Sequence, residues 1–222
     1  MCFSATADFV GSAVLGAVGV ATLREVKDRR EVLLAAMPCL FAAHEFIEGF
    51  VWMGLDGRLP GWVAHDAGSA YVLYAQGLLP FLLPLSVYQI EPTRRLRRRM
   101  LAFVLLGGAL ALYLLWGLVA YPTSIAMREH SILYENPITT TTVVAVLYVI
   151  ATCGALFFSG FRKLVWLGLY NLGGLTVVAL VKRYAFTSVW CAYAAVVSMI
   201  IYFFFRGSGR HRMERYATGP GR

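Results

Sequence analysis

Seven long apolar runs separated by short polar stretches dominate the chain, at about 6–23, 32–55, 67–89, 99–120, 138–158, 162–181 and 185–205. Each approaches the roughly 20 residues that a helix needs to cross the hydrocarbon layer of a bilayer. The pattern predicts an all-α polytopic membrane protein, a bundle of seven transmembrane helices formed by residues 1–205. The remaining 206–222 read as a basic cytoplasmic tail, disordered or lying on anionic headgroups. Ser4 stands where it can cap the first helix. Pro80 and Pro84 each remove a helical hydrogen bond and predict a kink in the third run. Gly107–Gly108 and Gly173–Gly174 predict places where helices approach closely.

Composition supports the class. Hydrophobic residues make up 59%, charged residues only 14%, and the mean hydropathy is +0.66. A soluble globule carries about 25% charged residues. The 222 residues suit one domain. The net charge of +8 is distributed by loop, with sixteen Lys and Arg residues on one side of the runs and four on the other. The positive-inside rule then puts the N-terminus outside and the C-terminus in the cytoplasm. No basic stripe is interleaved with stacking aromatics, so nucleic acid is not an expected partner. The bilayer is, and a homo-oligomer or larger membrane assembly stays open. The opening MCFSATADF lacks a basic n-region, so no cleaved signal peptide is expected.

The second run, MPCLFAAHEFIEGFVWMG (37–54), carries His44, Glu45 and Glu48. Ionisable groups within the hydrocarbon cost roughly 2.5–3.5 kcal/mol each on insertion scales and are kept where they face protein or a wet cavity. His44 and Glu48, four residues apart, share a helix face with Trp52. Imidazole and carboxylate together suit zinc, iron or copper, or else a proton-transfer pair. Glu45 lies about 100° around the helix from His44 and either lines the same cavity or turns to Lys182 or Arg183. The outer side also holds Asp8, Asp56, Asp66, Glu129 and Glu135, which makes it locally acidic.

The stretch MREHSILYENP (127–137) supplies His130 as a third ligand or gate, and Tyr134 and Glu135 as pocket rim. His65 and Asp66 are further rim candidates, with Asp66 also a candidate N-cap of the third helix. Cys2 and Cys191 both fall outside, where an oxidising medium permits a disulfide; a metal or nucleophilic role for Cys2 is the alternative. Haem, with His44 as an axial ligand, is a further variant. Retinal is disfavoured because the last run has no lysine.

MCFSATADF, HEFIEGFVW (44–52) and TSVWCAYAAVVS (187–198) resemble a family of uncharacterised bacterial integral membrane proteins. Its members begin Met-Cys-Phe-Ser-Ala and carry an acidic, Trp-containing second span. The likeness covers most of the chain. It implies a bacterial cytoplasmic (inner) membrane location and no mechanism. It also implies that Cys2–Ser4, the Glu48 helix and Trp190–Cys191 form one outward-facing unit. The leading expectation is an outward-facing polar, metal-binding site on the second span. If it is catalytic, Glu48 or Glu45 is the general base of a hydrolase-like site. A small cation or proton transporter or channel, and an accessory subunit of a pigment- or cofactor-containing complex, are the alternatives.

Overall fold

The computed structural model describes residues 4–128, 131–139, 141–180 and 186–207. Among these, the helices form seven rods. They are α1 (Ala5–Arg24), α2 (Val32–Leu55), a composite third rod, α5 (Arg94–Ala120), α6 (Thr142–Phe157), α7 (Arg162–Leu180) and α8 (Phe186–Gly207). The third rod is α3 (Gly61–Val72), a π-helical turn (Leu73–Leu78) and α4 (Leu79–Ile90). Four rods are long and apolar enough to cross a membrane: Ala5–Arg24, Arg29–Leu55, Gly61–Ile90 and Arg94–Ala120. Their outer faces fit that setting, since Val14, Leu105, Leu112 and Val119 are exposed. Neighbouring rods pack in chain order, and α8 returns against α1 and α2.

The expected boundaries shift at two rods. The third begins at Gly61 and the fifth helix at Arg94, because polar residues continue the helices beyond their apolar parts. Asp66 is therefore not an N-cap, which corrects the sequence expectation; Pro60 holds that position. Ser4 does cap α1, its hydroxyl accepting from the Ala7 N–H at 3.3 Å.

Proline decides the shape of the third rod. Pro80 has no N–H for the Gln76 carbonyl, and just before it the chain widens into the π turn, with the Leu79 N–H reaching back five residues to Tyr74. The Tyr148 hydroxyl donates to the Ala75 carbonyl within this turn at 3.0 Å. Pro84 likewise denies the Pro80 carbonyl its helical donor. That carbonyl faces Gly107 of α5, where an added Cβ would overlap its oxygen and lie 2.9 Å from its carbon. Gly174 meets Tyr193, whereas nothing lies within 4 Å of a Cβ at Gly173.

The loop after α5 departs from the all-α expectation. Ser124–Arg128 (β1) and Ser131–Glu135 (β2) form an antiparallel hairpin, pairing Ile125 with Tyr134 and Met127 with Ile132. Short alternating stretches with Ile and Tyr suit a half-buried strand pair. Asn136 fastens its base: the amide nitrogen donates to the Tyr121 carbonyl and to Thr123 Oγ1, both at 3.2 Å, and the amide oxygen accepts from the Ile138 N–H at 3.0 Å. The hairpin covers one end of the bundle, where Ile132 joins Ala5, Val51, Trp52 and Ala64 in a buried cluster. The main core, around Leu34, Met37, Val87, Met100, Leu156 and Ile201, lies deeper in the bundle.

At the opposite, basic end, buried Glu91 ties two connections together. Its carboxylate accepts from the Thr93 N–H at 3.0 Å and from the Gly160 N–H, sixty-nine residues away, at 2.7 Å. Both N–H groups need an acceptor, and an amide side chain offers only one oxygen. Glu91→Gln is expected to cost about 1–3 kcal/mol. A thermal unfolding midpoint in detergent equal to that of the wild type would refute this clip.

Candidate functional site

The site forms where α1 crosses α2 beneath the hairpin. Asp8 lies one turn into α1, its N–H bonded to the Ser4 carbonyl at 3.2 Å. Glu45 and Glu48 lie three residues apart on α2, so they share a helix flank. Two glycines bring the helices together. Gly49 leaves room for the Phe9 ring, which a Cβ would meet at 2.7 Å, and Gly19 leaves room for the Cys39 backbone nitrogen, which a Cβ would likewise meet at 2.7 Å. As a result, one ligand atom from each of Asp8, Glu45 and Glu48 lies within 4.8 Å of the others.

This trio is enclosed. Asp8 is 1% exposed, Glu45 3% and Glu48 0%. Among the described residues, no hydrogen-bond partner meets either carboxylate oxygen of Asp8 or of Glu48. Two donors near them also lack partners there, the indole Nε1 of Trp52 and the phenol of Tyr134. The Trp52 side chain lies beside Asp8, and the Tyr71 side chain beside Glu48. Two charges 4.8 Å apart repel by roughly 3 kcal/mol at an effective dielectric constant of about 20. Three carboxylates this close therefore need a compensating cation or shared protons.

His44 is buried on α2 but outside the trio. Its ring stacks on Tyr71, centroids 3.8 Å apart, and lies 4.9 Å from Tyr74. Its Nε2, 3.2 Å from the Tyr71 carbonyl oxygen, donates to it. Tyr71 stacks in turn on Tyr134 of the hairpin at 4.7 Å. The column His44–Tyr71–Tyr134 thus links α2, α3 and β2. Burial raises the Tyr134 phenol well above its ordinary pKa, and the carboxylates of Glu48 and Asp8 add to the rise. It remains a hydroxyl throughout the working range of pH.

Three other candidates from the sequence, His65, Asp66 and Glu135, are exposed and do not join the enclosed trio. The His65 and Asp66 side chains are each 68% exposed and pair with one another at 3.2 Å. Glu135 is exposed at the end of β2. His130 and Cys2, as well as the Cys191 side chain, lie outside the described residues, and so does any bond between those cysteines. The ligand set read from sequence and the group gathered by the fold share Glu48. Asp8 is the member that helix spacing did not single out, since only its place among the outer acids marked it.

A separate cavity of about 30 Å³, room for about one water, lies deeper in the bundle. It is lined by apolar residues such as Met37 and Leu79, with Tyr148, Asn171 and Tyr193 among its walls. The polar groups there are engaged. The Tyr193 hydroxyl donates to Asn171 Oδ1, and the Asn171 amide donates to Cys153 Sγ at 3.3 Å.

No curated protein and no solved structure is detectably similar to the chain. Over residues 1–217, nearly its whole length, it belongs to a family of unknown function, DUF6629.

Proposed function

We propose that this is a seven-span protein of the bacterial cytoplasmic membrane, N-terminus outside, that binds a divalent cation in its outer half through Asp8, Glu45 and Glu48. The observation that carries the reading is the convergence of three enclosed carboxylates, two of them without hydrogen-bond partners among the described residues. The donor set is all oxygen, which favours calcium, manganese or magnesium over the zinc, copper or iron that His44 would suit. Ligands on opposite sides of a calcium ion, at about 2.3–2.6 Å, stand about 4.6–5.2 Å apart, comparable with the 4.8 Å spread of the trio. Enclosure favours an ion-sized occupant. A hydrolase would need space for substrate beside the metal, so cation binding, and with it carriage of a cation or proton, is better supported than hydrolysis.

The basic residues of the opposite end, among them Arg94, Arg95, Arg97–Arg99, Arg162 and Lys163, support the orientation. The test is a manganese titration of the detergent-solubilised, chelator-stripped protein, followed by electron paramagnetic resonance. One bound ion per chain is expected, displaced by calcium, and retained in His44→Ala. Absence of stoichiometric binding of manganese, calcium, magnesium and zinc would overturn the reading and leave shared protons as the compensation.

A further inference from the structure

Resting on that cation reading, we infer that the hairpin is a wall of the site: Tyr134 supplies a hydroxyl to the Asp8–Glu48 pair and, with Ile125 and Ile132, closes it against the exterior. Four observations carry this. The Tyr134 oxygen is buried and, among the described residues, has no hydrogen-bond partner, and its ring packs onto the cluster of Ala5, Val51 and Trp52 next to the carboxylates. Its ring is fixed by stacking on Tyr71, which itself stands beside Glu48. Ile132 packs with Ala5, Val51 and Trp52, the residues flanking the carboxylates on both helices. Finally, α3 is recessed to receive the hairpin. A Cβ at Gly68 would overlap the end of the Ile125 side chain and come within 3.3 Å of the Tyr134 ring.

A phenol hydroxyl enclosed beside carboxylates can act as a donor, orienting one carboxylate oxygen while the other faces the ion. Tyr134 is therefore a positioning residue, and the hairpin governs entry and release from the outer side. The chemistry it serves is that of a small hard cation, the occupant that an enclosed all-oxygen trio of this spread suits.

The experiment compares the full chain with Tyr134→Phe, which keeps the stacked ring, and Gly68→Leu, which crowds the hairpin. Manganese affinity and its release into chelator are measured alongside amide exchange over 124–135. Tyr134→Phe is expected to weaken manganese about tenfold at an unchanged unfolding midpoint without cation. Gly68→Leu should speed release, and manganese should slow exchange in the wild-type hairpin. If the wild type binds manganese but Tyr134→Phe binds and releases it identically and exchange is unmoved by the ion, the hairpin inference is overturned and the carboxylate site stands. If the wild type binds none of the divalent cations, both fall together.

Discussion

Glu48→Gln is expected to unfold at a higher temperature than the wild type in chelator and at a lower one in saturating manganese. Without an ion, the native state holds three carboxylates whose ligand atoms lie within 4.8 Å, in a site that solvent barely reaches. Replacing Glu48 by its neutral isostere removes one source of repulsion or one proton that must be held there, a gain of about 1–2 kcal/mol. With the ion the order reverses. A ligand present at a hundred times its dissociation constant stabilises the native state by about 2.7 kcal/mol. A site with two carboxylates in place of three is expected to lose at least about a hundredfold in affinity, which removes most of that gain. Asp8→Asn should cross over in the same way. Thermal unfolding in detergent under the two conditions makes the comparison, and a Glu48→Gln variant that is less stable than the wild type in both would mean that the carboxylate serves as a structural acceptor.

Gly107→Ala is expected to prevent accumulation of folded protein, although it adds a single methyl group to a helix interior. The atom an alanine would meet is the backbone oxygen of Pro80, which cannot rotate away as a side chain would. That oxygen is fixed between the π turn and Pro84, so α4 and α5 must separate to admit the methyl group. Overpacking typically costs about 1–3 kcal/mol where side chains can yield, and more is expected against backbone. Gly173→Ala serves as the control. Its Cβ would meet nothing within 4 Å, and alanine is favoured over glycine in helices by about 1 kcal/mol. The yield of monodisperse protein after detergent extraction reads both, and a normal yield of Gly107→Ala would show that the two helices can part without loss.

The seven rods were legible because each helix carries an apolar run of recognisable length, four of them long and apolar enough to cross a membrane. The runs of the second span and of the sixth and seventh rods fall within a few residues of the observed helices. Legibility failed where polarity and helix part company. Trp62–Asp66 and the arginines from Arg94 onward are helical but do not look like a span, so α3 and α5 start earlier than their apolar parts. The hairpin was hidden for a different reason. Each of its strands has five residues, too short for alternation to outweigh a loop reading, and its stability comes from Ile132 and Tyr134 packing onto helices far away in the chain.

The sequence by itself determined the class of this protein, the one-sided distribution of its basic residues and the acidic second helix, because these follow from local composition and the 3.6-residue period. Only the tertiary structure decided which acids meet. His44 and Glu48 share a face by spacing, yet His44 is engaged by the rings and carbonyl of the third rod. Asp8, thirty-seven positions before Glu45, enters the site instead. The physical reason is that helix spacing fixes directions around one axis but not the rotation and crossing point of a second. Here those were set by Gly49 admitting Phe9 and by Gly19 admitting the Cys39 backbone, contacts between two helices that no single helical period contains.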